Sequence, residues 1–184
     1  MQDRFRWLGL TTLVLVVGAG WIWNSSMPTS ATTGGLIPSP REGFLAPDFT
    51  LDLIGGGQVT LSELRGDVVL INLWTSWCPP CRSEMPAIQQ VYEANRERGL
   101  KILAVNMTYQ DSESAAVEFT RDHGLTFPVL LDRTGAVGYK YQLRSLPTTF
   151  FVDRQGVIQQ VILGGPMSEV TLQTALETLL SEEP

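Results

Sequence analysis

Val68-Val69-Leu70-Ile71-Asn72-Leu73-Trp74-Thr75-Ser76-Trp77-Cys78-Pro79-Pro80-Cys81 decides the architecture of this chain. The run from Val68 to Trp74 is nearly continuous in apolar residues, the pattern of a strand buried on both faces. A helical pattern begins near Pro80. The stretch therefore carries the chain's only two cysteines into the first turn of a helix. Helical positions three apart share a face, with Cβ atoms roughly 5–6 Å apart. A disulfide needs Cα atoms about 4.4–6.8 Å apart. Cys78 and Cys81 can thus close into a disulfide and open into a dithiol with little backbone movement.

The same turn divides the roles of the two sulfurs. A helix N-terminus carries partial positive charge and favours a thiolate over a thiol. Cys78, at the tip, is expected to be exposed and to attack. Cys81, one turn inside, is expected to be more buried and to resolve. Pro80 suits a first helical turn, where a missing N–H matters little. Together Pro79 and Pro80 remove two backbone donors that could stabilise the thiolate. Less thiolate stabilisation means a less oxidising couple, so a reducing dithiol is expected. A zinc site would need four ligands. Beyond the two cysteines the chain offers one histidine, His123, and no metal is expected.

The rest of the composition narrows the setting. The chain has 184 residues, 43% apolar and 17% charged, with a formal net charge of −6. No basic run follows the N-terminus, which argues against nucleic acid as a partner, since phosphates demand clustered Lys and Arg. Residues 1–6 carry Arg4 and Arg6, and residues 7–23 are apolar apart from Thr11, Thr12 and glycines. As helix this run is about 25 Å long. Arg6 and Trp23 can anchor its ends at the interfaces. It is read as a single-pass membrane anchor rather than a cleaved signal peptide. The arginines place residues 1–6 in the cytoplasm and the remainder outside, in a periplasm or at a cell surface. There a disulfide persists. Residues 24–44 are rich in Ser, Thr, Gly and Pro and read as a flexible tether.

Residues 45–184 read as one α/β domain. Ala46-Pro47-Asp48-Phe49-Thr50-Leu51 and Val59-Thr60-Leu61, separated by Gly55-Gly56-Gly57, predict a hairpin beginning on an extended edge. Ser62–Arg65 reads as a single helical turn. After Cys81 a helix runs to Arg98, with Met85, Ile88, Val91 and Tyr92 on one face, a kink expected at Pro86, and Gly99 as left-handed cap. Ile102–Val105 is a second buried strand. Asp111 or Ser112 caps a helix reaching His123. Val129–Leu131 is a short strand, and Ala136–Tyr141 a short helix. Leu146–Val152 and Val157–Leu163 form a hairpin around Asp153-Arg154-Gln155-Gly156. Ser168 opens the last helix. Strands alternating with helices imply parallel pairing.

That order, with Trp77-Cys78-Pro79-Pro80-Cys81 between the first core strand and the first long helix, resembles the thioredoxin fold. Ala46-Pro47-Asp48-Phe49, Leu61–Gly66 and Val69–Pro86 are similar to the TlpA/ResA-type membrane-anchored thiol–disulfide oxidoreductases. The resemblance implies a thioredoxin-like three-layer sandwich with an N-terminal β-hairpin and a central helical insertion, preceded by one transmembrane helix. It implies a redox-active disulfide and no other cofactor. Pro147 falls where such proteins place a cis-proline facing the disulfide, and the Leu146 backbone would pair with a bound substrate strand. Glu84 matches an acidic residue one turn after the second cysteine. A half-buried carboxylate there could take the Cys81 proton, replacing a buried Asp that plain thioredoxins hold at the position of Asn72. Trp77 would cover the disulfide, and Trp74 fits either there or in the core. Substrate-contacting candidates are thus Trp77, Pro79, Pro80, Leu146 and Pro147. The implied partners are protein disulfides, apocytochrome c among them, and a membrane thiol-electron donor.

Two other readings compete. A peroxiredoxin-type peroxidase would explain Thr75, three residues before Cys78, but neither Trp77 nor the second cysteine fits that pattern. A Sco-like copper-delivery protein would use Cys78, Cys81 and His123, but its cysteines lie one residue further apart. His123, at a helix end beside Gly124, is read as structural.

Overall fold

The computed structural model describes residues 37–181. The anchor read at 7–23 and most of the tether lie outside them. Among the described residues no helix is long and apolar enough to cross a membrane.

A seven-stranded mixed sheet forms the middle layer. Its strands are β1 (Thr50–Leu53), β2 (Gln58–Thr60), β3 (Val68–Trp74), β4 (Leu100–Asn106), β5 (Val129–Leu131), β6 (Thr148–Val152) and β7 (Ile158–Leu163). Their order is β2-β1-β5-β4-β3-β6-β7. The pairs β3–β4 and β4–β5 are parallel, and the others antiparallel. The expected N-terminal hairpin forms, but β1 is not an edge. It pairs with β5, Asp52 opposite Leu131, and leaves β2 outermost.

Every residue of β3 is buried, and the pleat sorts them. Val68, Leu70 and Trp74 face one core with α1 (Pro79–Asn95), α2 (Glu113–Asp122) and α4 (Glu169–Ser181). Val69, Ile71 and Leu73 face the other, with α3 (Ala136–Lys140), Leu61 and Phe49. Alternate side chains point to opposite faces, so Asn72 shares the α1 face with Trp74. On β6 the same rule puts Thr149 and Phe151 on that face. The result is the three-layer sandwich.

Local chemistry fixes the ends. Helix α1 runs unbroken through Pro86, then a 3-10 turn at Arg96–Arg98 leads to Gly99 at φ 88°. Ser112, not Asp111, caps α2 by accepting the Ala115 N–H at 3.1 Å. Part of the segment read as tether is tied to the domain. Gly43 N–H donates to Ile158 O at 2.8 Å, and Glu42 Oε1 accepts the Val161 N–H at 2.9 Å. Those bonds cover part of the outer edge of β7.

Candidate active site

Cys78 is the N-cap of α1 and Cys81 its third residue; they form a disulfide with Cα atoms 5.3 Å apart. Pro79 and Pro80 fill the first two helical positions and carry no N–H. Of the first-turn donors only Cys81 N–H remains, and it lies 3.3 Å from Cys78 Sγ. The thiolate-stabilising array is thus reduced to one backbone hydrogen bond plus the helix dipole.

Cys78 is less open than its place at the helix tip predicts. It is 4% exposed, against 0% for Cys81. The physical reason is the wall around it. Cys78 lies in a groove of about 440 Å³ lined by Trp77, Pro79, Pro80, Tyr109, Gln110 and residues 143–146. Trp77, 57% exposed, is fixed by its Nε1–H donating to Gln110 O at 3.0 Å. Cys78 is therefore reached through the groove and does not protrude. Trp74 is core, tilted against Phe119 at 5.2 Å.

The Leu146–Pro147 peptide bond is cis, as the resemblance implies. β6 starts only at Thr148, so Leu146 and Pro147 form the approach to the strand. Among the described residues nothing hydrogen-bonds the Leu146 N–H or C=O. A second cis bond, Gly165–Pro166, was not legible in the sequence. Its loop closes over Glu84: a Cβ added at Gly165 would sit 2.6 Å from Glu84 Oε2 and 2.8 Å from Pro147 Cγ.

Glu84 is not a solvated helix-face residue; it is 0% exposed. Asn72 Nδ2 donates to its Oε1 at 2.8 Å and Met167 N–H to its Oε2 at 3.1 Å. Burial disfavours the charged form. It outweighs those two hydrogen bonds and pushes the carboxyl pKa up to about 7. A carboxyl one turn beyond Cys81 that titrates near neutrality is suited to accepting and returning a proton.

Asp111 belongs to the site although the sequence marks it only as a possible helix cap. It accepts from Ser76 N–H at 2.6 Å, Ser76 Oγ at 2.7 Å, Asn106 Nδ2 at 2.8 Å and Ser112 N–H at 2.9 Å. It ties the insertion to the loop that presents Cys78. Thr75 is buried with no partner for its Oγ1. His123 stacks on Phe119 at 3.9 Å, with Nδ1 3.0 Å from Phe119 O. Among the described residues no group of three or more His, Cys, Asp or Glu is placed to hold a metal ion.

Known proteins are similar to this chain in sequence and in fold. A family model described as the AhpC/TSA family matches residues 43–161. The thiol-disulfide oxidoreductase ResA of Geobacillus kaustophilus is 34% identical over 178 residues, 97% of either chain. The thioredoxin-like protein YneN of Bacillus subtilis is 36% identical over 160 residues, 86% of this chain and 90% of that one. The crystal structure of StoA from Bacillus subtilis matches with a TM-score of 0.62 and 31% identity, covering 70% of this chain and 96% of that one. A thioredoxin-family thiol:disulfide interchange protein from Chlorobium tepidum matches with a TM-score of 0.67 and 26% identity, covering 74% and 96%. With a closed Cys78–Cys81 pair at a helix tip and a relative of this extent, the chain belongs to the AhpC/TSA family and, within it, to the ResA-type thiol-disulfide oxidoreductases.

Proposed function

We propose that this oxidoreductase works as a reductant of protein disulfides outside the cytoplasm, held at the membrane by residues 7–23. The observation that carries the reading is the setting of Cys78: it lies in an open groove that also includes Leu146, whose N–H and C=O are unengaged. An extended client segment can pair there as an added strand and bring its disulfide to Cys78. Trp77, Pro79 and Pro80 supply the apolar contact, and Pro147 holds Leu146 in place.

The Cys78 thiolate attacks one client sulfur. A mixed disulfide forms, and the second client sulfur leaves as a thiolate. Cys81 then gives its proton to Glu84 and attacks Cys78 Sγ. The Cys78–Cys81 disulfide forms, and the remaining client sulfur leaves. Two electrons pass to the client, whose thiolates take up protons. A membrane thiol-electron donor restores the dithiol by the same exchange in reverse. The two prolines favour this direction by leaving Cys78 a single first-turn donor. Similarity to ResA makes apocytochrome c, with its haem-binding cysteine pair, the leading client.

Cys81→Ser tests the scheme, because it removes the resolving sulfur. The variant is expected to accumulate a mixed disulfide through Cys78 that thiol reductant releases. Absence of such adducts with any protein disulfide, in a folded variant, would overturn the role of Cys78. A reduction potential as high as that of a dedicated oxidant would overturn the direction.

A further inference from the structure

Glu84 sits in a shell of donors. Asn72 Nδ2 gives one N–H to Glu84 Oε1 at 2.8 Å and one to Thr149 Oγ1 at 2.9 Å, while Met167 N–H serves Oε2. These partners suit a carboxylate. They give a proton on Glu84 nothing to point at, because neither a backbone N–H nor an amide NH₂ accepts. The other end of the same amide supplies the second observation. Asn72 Oδ1 is buried and has no hydrogen-bond partner. An amide held at one end only is not pinned against a half-turn about χ2, a torsion that is roughly two-fold.

We propose that Asn72 is a proton-responsive positioning residue for Glu84, presenting Nδ2 to the carboxylate and turning by about 180° to present Oδ1 to the carboxylic acid. The proposal rests on the reading of Glu84 as the base for Cys81. In the turned state the two lone pairs of Oδ1 meet two hydroxyl donors, Glu84 Oε1–H and Thr149 Oγ1–H. Thr149 changes from acceptor to donor by rotating its hydroxyl. The end facing Glu84 is satisfied in both states, and the far end is unpartnered in both. Neither orientation is therefore locked. The proton leaving Cys81 arrives on Glu84 Oε1, and the turned amide holds the neutral acid until the proton passes on. No electrons move through Asn72.

The surroundings support a local switch. The groups facing the carboxyl are Asn72 from β3 and the Met167 N–H of the loop before α4, with Cys81 one turn back on α1. Thr149 from β6 meets it through Asn72. Among the described residues no Lys, Arg or second carboxylate pairs with Glu84.

The test is an NMR titration of the full oxidised protein, in which the cysteines do not titrate. The Glu84 carboxyl carbon and the Asn72 side-chain amide are followed together from pH 5 to 9. The contact between the Asn72 amide protons and the Thr149 side chain is expected to fade as pH falls, with the Glu84 midpoint. A Glu84 that titrates while that contact holds steady would overturn the switch and leave Glu84 as base. A Glu84 that does not titrate in this range would overturn both, and so separates the two failures.

Asn72→Leu, which neither donates nor accepts, gives a second readout. A fixed donor lost from a carboxylate would raise its proton affinity about tenfold or more. An amide that serves both forms stabilises both. Its loss is then expected to change the affinity by less than about threefold. A tenfold rise would overturn the proposal.

Discussion

Asp111 takes both the main-chain N–H and the hydroxyl of Ser76, at 2.6 and 2.7 Å, just ahead of the first redox cysteine. Burial pulls its pKa upward, but the hydrogen bonds from Ser76, Asn106 and Ser112 outweigh that and leave it below the usual aspartate value. Such a group adds stability above its unfolded-state pKa of about 3.9 and loses it as pH falls through the lower folded value. Asp111→Ala is expected to lower unfolding free energy by about 2–4 kcal/mol at pH 7, as several charge-assisted bonds disappear. Urea denaturation checks this, and the gap to wild type should shrink as pH falls from the unfolded-state value through the lower folded one. A variant as stable as wild type at pH 7 would show that the clamp contributes nothing.

Glu84 has the opposite sign. Its pKa is raised to about 7 in the fold, against about 4.3 unfolded. The folded protein therefore binds more protons between those values. Its contribution to stability is complete below the unfolded pKa and is lost as pH rises toward 7. Above pH 7 the buried carboxylate costs about 3 kcal/mol. Glu84→Gln removes that cost, but its single acceptor oxygen replaces two and its NH₂ must face Asn72 or Met167, worth about 1 kcal/mol. Oxidised Glu84→Gln is thus expected to be roughly 2 kcal/mol more stable than wild type at pH 8 and no more stable at pH 4. The same variant should flatten the rise of the Cys81 resolution rate with pH near 7, with initial attack by Cys78 little changed. Single-turnover kinetics with a trapped mixed disulfide measures it.

How much of this was legible depends on the range of the signal. The strand–cysteine–helix unit was readable because its signals are local: an apolar run, two cysteines three apart, two prolines at a helix start. The three-layer order followed from β–α alternation. The pairing of β1 with β5 was not readable, since Asp52 meets Leu131 across the sequence and no turn links them. The shelter of Cys78 was missed for the same reason: its groove is built by residues 109–110 and 143–146. Asp111 has an unremarkable local context, a polar residue before a helix. Its role appears only when the fold sets it against Ser76. Glu84 was found through family resemblance. Its complete burial depends on the loop at Gly165, which no local pattern marks.

Trp77 offers a test of client contact separate from stability. More than half of the residue is exposed, and its single hydrogen bond goes to Gln110 O. Truncation therefore removes little buried area, and Trp77→Ala is expected to change unfolding free energy by less than about 1 kcal/mol. Tryptophans at recognition surfaces commonly contribute about 2 kcal/mol or more to binding. KM for a protein disulfide should rise about 10-fold or more, with kcat within roughly twofold. A small dithiol-reactive reagent that does not fill the groove should react at the wild-type rate. Equal losses for the small reagent and the protein client would place Trp77 in the chemistry and not in docking.

Gly165→Ala probes the closest packing at the site. The added Cβ would lie 2.6 Å from Glu84 Oε2 and 2.8 Å from Pro147 Cγ. Neither neighbour yields easily: Glu84 is held by Asn72 and Met167, and Pro147 is a ring in a buried turn. Overpacking of this kind costs about 1–3 kcal/mol. The strain falls on the wall shared by Glu84 and Pro147. Activity should therefore fall further than stability explains. Under conditions where the variant is more than nine-tenths folded, the resolution step is expected to slow about tenfold or more. Gly165→Ser should behave likewise. Gly99→Ala supplies a control, because its Cβ would meet only the Arg154 and Asp67 side chains, away from the cysteines. Comparable destabilisation by Gly99→Ala with intact exchange kinetics would tie the Gly165 effect to the Glu84 wall; equal kinetic loss in both would refute it.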